Sequence, residues 1–245
     1  MAYLKYINDE RLNIARGLVR DTTFVHKFGA VPQMSINTTG TVWDVSDTLY
    51  PWSAFNTPGV LNIPAVNVAD NGNVITVLGL DSNYNQISEN FTVSSTVTTT
   101  GLKTFARVVR AFDTTGTNVA NINIQRASTV VARITAGKGQ TSMAVYTVPA
   151  GYTGYLMQGT ASIQVGGDAT GDMYVRYFGQ TSFRVGHTFE LEGTGGQYFY
   201  PFAVPIPIPE KSDIDVRASM RSNNARMTAA FDVILVKNDG IGLRE

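Results

Sequence analysis

From about residue 60 onwards, apolar positions recur every second residue. The stretches "VITVLGL" (74–80), "QISENFTVS" (86–94), "TFARVVRAF" (104–112), "NINIQR" (121–126) and "TVVARIT" (129–135) alternate or are rich in β-branched side chains. Alternation of this kind sends successive side chains to opposite faces of an extended strand. Turn residues separate the runs: Asp70-Asn71-Gly72, Asp81-Ser82-Asn83 and Thr115-Gly116-Thr117. Asn-Gly pairs in particular favour tight turns. Short strands this closely spaced predict an antiparallel sandwich.

"TAGKGQT" (135–141) interrupts the pattern and reads as a flexible joint. Alternation resumes in "SMAVYTVPAG", "YTGYLMQGTASIQVG", "DMYVRYFGQ" and "SFRVGHTFEL", then closes with "SDIDVRASM" and "MTAAFDVILVKNDG". The expected fold is mainly β: two successive antiparallel β-sandwich or jelly-roll-like units, 60–136 and 137–245, behind an extended N-terminal arm. The arm and an aromatic anchor segment together take residues 1–59.

Only "INDERLNIARGLVRDTTFVHKFG" (7–29) suggests a helix, with Leu12, Ala15 and Val19 near helical spacing and Asp9 as a cap. A short helix or an extended arm fits equally. "AVPIPIPEK" (203–211) alternates prolines with apolar residues. Proline cannot donate to a ladder, so this is an edge segment or an extended arm. If it is extended, Val204, Ile206 and Ile208 point one way. "VWDVSDTLYPWSAF" (42–55) contains both tryptophans and a proline. Trp43, Tyr50, Trp52 and Phe55 are expected to anchor this irregular stretch against protein. The rival reading is a platform on which a sugar ring stacks.

Composition narrows the function classes. Charged residues are 16% of the 245, balanced at 19 basic and 19 acidic, below the roughly 25% of an ordinary soluble domain. No net field favours nucleic acid or an acidic membrane. A low-charge surface near zero net charge favours association. There is no cysteine, so disulfides and thiolate metal sites are excluded. "MAYLKYINDER" meets acidic residues too early for a secretory signal core, and no apolar run approaches a membrane span of ~18 residues.

Candidate chemistry is sparse. His26 and His187 are distant in sequence and outside any metal-binding spacing. Ser182, His187 and Glu190 or Glu192 could be drawn as a triad, but no G-x-S-x-G elbow is present. Asp168, Asp172, Asp213 and Asp215 are the oxygen ligands a calcium site would need; "DIDV" and "GGDATGD" read more simply as strand and turn. "GKGQT" lacks phosphate-loop spacing. Arg107 and Arg110 fall on opposite strand faces and form no basic patch. Catalytic, cofactor and metal sites are therefore all expected to be absent.

The order of phrases is similar to a known group. "IARGLVRDTTFVHKFG" with "VWDVSDTLYPW", then "VLGLDSNYNQISENFTV" (77–93), "TFARVVRAF", "GTNVANINI" (116–124) and "GKGQTSMAVYTVPAGYTGYL" (137–156), resembles virion structural proteins of tailed bacteriophages, a group common in marine phages. Where the related phrase often runs "GLVPGHS", this chain has "GLVRDTT". The resemblance implies a non-enzymatic virion part (head decoration, neck or tail) whose partners are copies of itself and other virion proteins. It implies no specific nucleic acid or membrane contact. A host-surface glycan-binding module is the alternative.

Overall fold

The computed structural model describes residues 9–194 and 196–238. The start of the expected arm and the last residues of the expected second unit lie outside them. Helix α1 (Glu10–Ala15) comes first, its N-terminus capped by Asp9, whose carboxylate accepts from the Leu12 N–H at 3.0 Å. Leu12 is exposed, so the helical spacing marks no packed face.

Sixteen strands follow among the described residues. They begin with β1 (Thr22–Met34), β2 (Thr39–Thr41), β3 (Leu61–Ile63), β4 (Val74–Leu80), β5 (Gln86–Thr92), β6 (Thr99–Thr100), β7 (Arg107–Asp113) and β8 (Ile122–Arg126). They continue with β9 (Thr129–Ile134), β10 (Val145–Thr147), β11 (Tyr152–Ile163), β12 (Asp168–Arg176), β13 (Arg184–Leu191), β14 (Gln197–Ile208), β15 (Asp213–Ser222) and β16 (Ala225–Lys237). The protein is mainly β, built of antiparallel sheets as its alternation predicts.

The larger sandwich sets the sheet β1-β16-β11-β14 against β10-β15-β12-β13, with β2 beside β15. Strand β16 shows why. In "ARMTAAFDVILVK", Ala225, Met227, Ala229, Phe231, Val233 and Leu235 are all buried, and the intervening residues face outward. These side chains meet Leu156, Ile214, Val216 and Met220 in one core. The smaller sandwich sets β6-β3-β8-β9 against β5-β4-β7 around Ile63, Ile75, Val77, Phe91, Phe105, Ile122 and Ile124. Its β4–β5 hairpin turns where the sequence signals it. Asp81 Oδ1 accepts the N–H groups of Asn83 and Asn85 at 2.8 and 2.9 Å, and Tyr84 takes φ +67°.

The two sandwiches are not successive. Strand β1 pairs with β16 from Thr22↔Val236 to Met34↔Ala225, so the beginning and end of the described chain share one sheet. Residues 22–42, expected within an arm, form two strands of the larger sandwich and contribute Val31, Met34 and Val42 to its core. The smaller sandwich is an insertion. Its core begins at Trp43 and ends at Val145, and Trp43 and Met143 are bridged where the chain leaves and returns. The 135–141 stretch, expected as the joint, closes inside the smaller sandwich: Ile134 bridges Thr141, and the Gly137 N–H donates to Asn118.

Gly29 makes the crossing possible. A Cβ at this position would lie 2.0 Å from the Val42 carbonyl oxygen and 2.5 Å from the Ala144 nitrogen. Only glycine lets β1 approach both passing chains this closely.

Candidate functional site

The aromatic segment sits in the seam between the sandwiches. Pro51 interrupts any ladder, and Trp52–Phe55 form a single 3-10 turn. Trp43, Tyr50, Trp52 and Phe55 are 2%, 3%, 8% and 3% exposed, which leaves no open ring face for a sugar to stack on. Tyr50 packs edge-on against both indoles, with centroids 5.2 Å from Trp43 and 4.7 Å from Trp52. Burial pushes the Tyr50 phenol far above its ordinary range.

Two buried carboxylates hold this cluster. Asp213 and Asp215 lie two apart on β15, so both side chains leave the same strand face. Asp215 Oδ2 accepts from Trp52 Nε1 at 3.0 Å and from Arg217 Nε at 2.9 Å, and its Oδ1 accepts from the Thr41 hydroxyl at 2.9 Å. That same Thr41 oxygen accepts the Tyr50 N–H at 2.8 Å. Asp213 is bound in a fork by Arg107, Nε to Oδ1 at 2.8 Å and Nη2 to Oδ2 at 3.0 Å. Arg176 and the Thr147 hydroxyl complete its shell at 2.6 Å each.

Trp52 is itself covered by cations, with Arg107 5.6 Å and Arg176 5.3 Å from its ring. Burial opposes the Arg107 charge, but the Asp213 carboxylate outweighs it and raises the guanidinium above its ordinary value. Three arginines thus face two carboxylates whose oxygens are all taken. This is a clasp joining β7 of the smaller sandwich to β15 of the larger.

The other sequence candidates do not converge on a reaction centre. His187 bonds the Tyr198 hydroxyl and is surrounded by Tyr200 and Phe202; desolvation lowers its pKa. Glu190 is engaged by Thr170 and Arg221. His26 pairs with Asp232 at 2.5 Å. Asp168 accepts from Ser222 and the Gly193 N–H, and Asp172 from Thr188. Among the described residues no three His, Asp or Glu side chains gather as a metal would require.

The proline segment forms β14, which pairs with β11 on one side only. The expected common face of Val204, Ile206 and Ile208 is broken. Between Leu156↔Ile206 and Gln158↔Pro201, four residues of β14 oppose a single residue of β11. Val204 sits in this bulge, 80% exposed; Ile206 is half-buried, and Ile208 is in the core. Strand β13 ends the facing sheet on the same side, and its His187 packs across to Tyr198, Tyr200 and Phe202 of β14.

Sequence reasoning missed Thr41, Arg107, Arg176 and Arg217 as partners of the aromatic segment. Each lies far from it in sequence or looks like an ordinary strand residue. It also missed Lys27, which is buried with Nζ donating to the Val109 carbonyl at 2.5 Å. Burial, helped by Arg110, pushes that amine down to about 7.

No known protein family matches this chain, and no curated protein matches it. Among solved structures, that of the infectious bursal disease virus Gt strain overlaps 96% of this chain and 79% of that chain, at 11% identity and a TM-score of 0.25. The VP2 subviral particle of the same virus overlaps 91% and 74%, at 9% identity and a TM-score of 0.25. Overlaps this weak carry no argument, and the β architecture stands on the strand registers. Among the described residues no helix is long and apolar enough to cross a membrane.

Proposed function

We propose that this chain is a non-enzymatic structural subunit of a tailed-phage virion, in the head decoration, neck or tail. It is held there by contacts with copies of itself and with other virion proteins. The observation that carries this reading is the free side of the larger sandwich. There Val204 and Tyr200 of β14 and Val185 of β13 are 80%, 46% and 52% exposed, on a chain of zero net charge. An apolar edge on a low-charge surface favours a neighbouring chain. The resemblance of the ordered phrases to virion structural proteins of tailed phages supports the same reading. The seam aromatics serve as internal anchors under it, and the prolines limit how a neighbour can add to the edge ladder.

Antibody labelling of purified virions in electron micrographs, together with light scattering of the isolated protein, tests this. Labelled particles and a concentration-dependent oligomer are expected. A chain that stays monomeric at high concentration and is absent from particles overturns the proposal.

A further inference from the structure

The outer face of the β1-β16-β11-β14 sheet carries a trough that assembly does not explain. Its floor is set by cross-strand register. One row runs Phe28, Ala230, Thr160, Phe199; the next runs Ala30, Thr228, Ser162, Gln197. Each row has small side chains in the middle, and the first ends in a ring on either side. Three strand spacings separate those rings, about 14 Å. Residues 135–142 of the smaller sandwich supply the opposite wall through Thr135, Lys138, Gln140 and Ser142, and Asp44 joins them to enclose about 800 Å³.

We propose that this trough binds a short saccharide. Sugars present apolar C–H faces together with hydroxyls that both donate and accept. The trough supplies both complements. Phe199 is 62% exposed at one end, and Phe28 stands at the other. Between them the Ser162 and Thr228 hydroxyls lie 2.7 Å apart, with Gln140 and Gln197 at the margins.

The second observation is Asp44. It lines the trough and is 6% exposed; Oδ2 accepts the Thr135 hydroxyl at 2.9 Å and the backbone N–H groups of Asp44 and Ser142 lie close to the carboxylate, but Oδ1 has no well-aligned donor. A buried carboxylate oxygen without a well-aligned donor is costly, and burial raises this carboxyl to about 6. Hydroxyls and amides line the trough beside it, and they suit a ligand rich in hydroxyls. The central floor strands, β16 and β11, are paired on both sides, so a peptide arm cannot add there as a strand. The inference does not rest on the virion reading and would hold for an isolated chain.

The test is saturation-transfer NMR and a glycan array on the isolated full chain, with neutral and uronic-acid-containing oligosaccharides as probes. Saturable binding is expected for the unaltered protein. Phe199→Ala should weaken it roughly tenfold, and Ala230→Arg, which fills the trough floor, should abolish it while circular dichroism stays unchanged. Absence of binding across the panel by the folded chain overturns the proposal. So does undiminished binding by both folded variants. Loss of self-association in Ala230→Arg without any saccharide binding would assign the trough to a neighbouring subunit and likewise overturn it. Particle labelling is a separate readout, so failure of the assembly reading cannot be mistaken for failure here.

Discussion

The indole Nε1 of Trp52 donates to Oδ2 of Asp215 at 3.0 Å, joining a side chain in the core of the inserted sandwich to a strand of the other. Asp215 is fully buried and also accepts from Thr41 and Arg217. Trp52→Phe keeps most of the ring but removes one donor from a buried carboxylate, a loss of about 1–3 kcal/mol. Trp52→Ala also leaves a cavity, and about 3–5 kcal/mol is expected. Urea unfolding followed by far-ultraviolet circular dichroism measures both. Equal stability of Trp52→Phe and the unaltered chain would remove this bond from the account.

Asp213 makes a sharper case, because Arg107 and Arg176 both depend on it. Asp213→Ala leaves two cations facing each other in a buried seam, with an expected loss of about 3–5 kcal/mol. Replacing Arg107 by Met in the same chain should recover part of that loss. A double-mutant cycle over Arg107 and Asp213 reads the coupling directly; strict additivity would contradict the clasp.

Gly29 is the glycine of the "VHKFG" phrase. Gly29→Ala would drive a methyl group into the Val42 and Ala144 backbones, neither of which can swing aside. A loss of at least about 1–3 kcal/mol is expected, with failure to fold as the extreme. The melting temperature reports it. A neutral result would mean that the two crossing chains are looser than their geometry indicates.

Lys27 makes stability depend on pH. Its amine is held down at about 7 in the folded chain, against 10.5 when unperturbed. Between these values the unfolded chain binds the proton and the folded chain does not, so stability rises with pH across that window. Below pH 7 the full penalty remains, on the order of 4–5 kcal/mol. Lys27→Met should flatten the rise between pH 7 and 10 and stabilise the protein below pH 7. Urea midpoints for both proteins across that range decide it; parallel curves would refute the depressed amine.

Val204 lies in the β14 bulge and is largely exposed, so Val204→Asp should shift stability by no more than about 0.5 kcal/mol. If this edge is the contact surface, the same change should cut self-association measured by light scattering. Unchanged oligomers would place the contact elsewhere.

Much of the secondary structure was legible in local pattern. The period of two in "ARMTAAFDVILVK" corresponds to a strand with one buried face, and "DSNYN" corresponds to a side-chain-locked turn. Prolines at 205 and 207 correspond to a sheet edge, because a missing N–H is harmless only where no second neighbour needs it. These features depend on a few adjacent residues, and so they can be read along the chain.

Tertiary structure decided how the strands are divided. Pairing of Thr22–Met34 with Ala225–Lys237 places residues some two hundred positions apart in one ladder. An alternating strand suits many partners, so its own residues do not say which one it takes. The same holds for the seam. Trp52 and Pro51 mark a segment that something must hold, but the holders come from β2, β7, β12 and β15, and only packing brings Thr41, Arg107, Arg176 and Asp215 to it. Local sequence determines which residues can be strands, turns and anchors. Which anchor meets which strand is settled by burial in the folded chain, where an unpaired carboxylate or guanidinium would be too costly to leave.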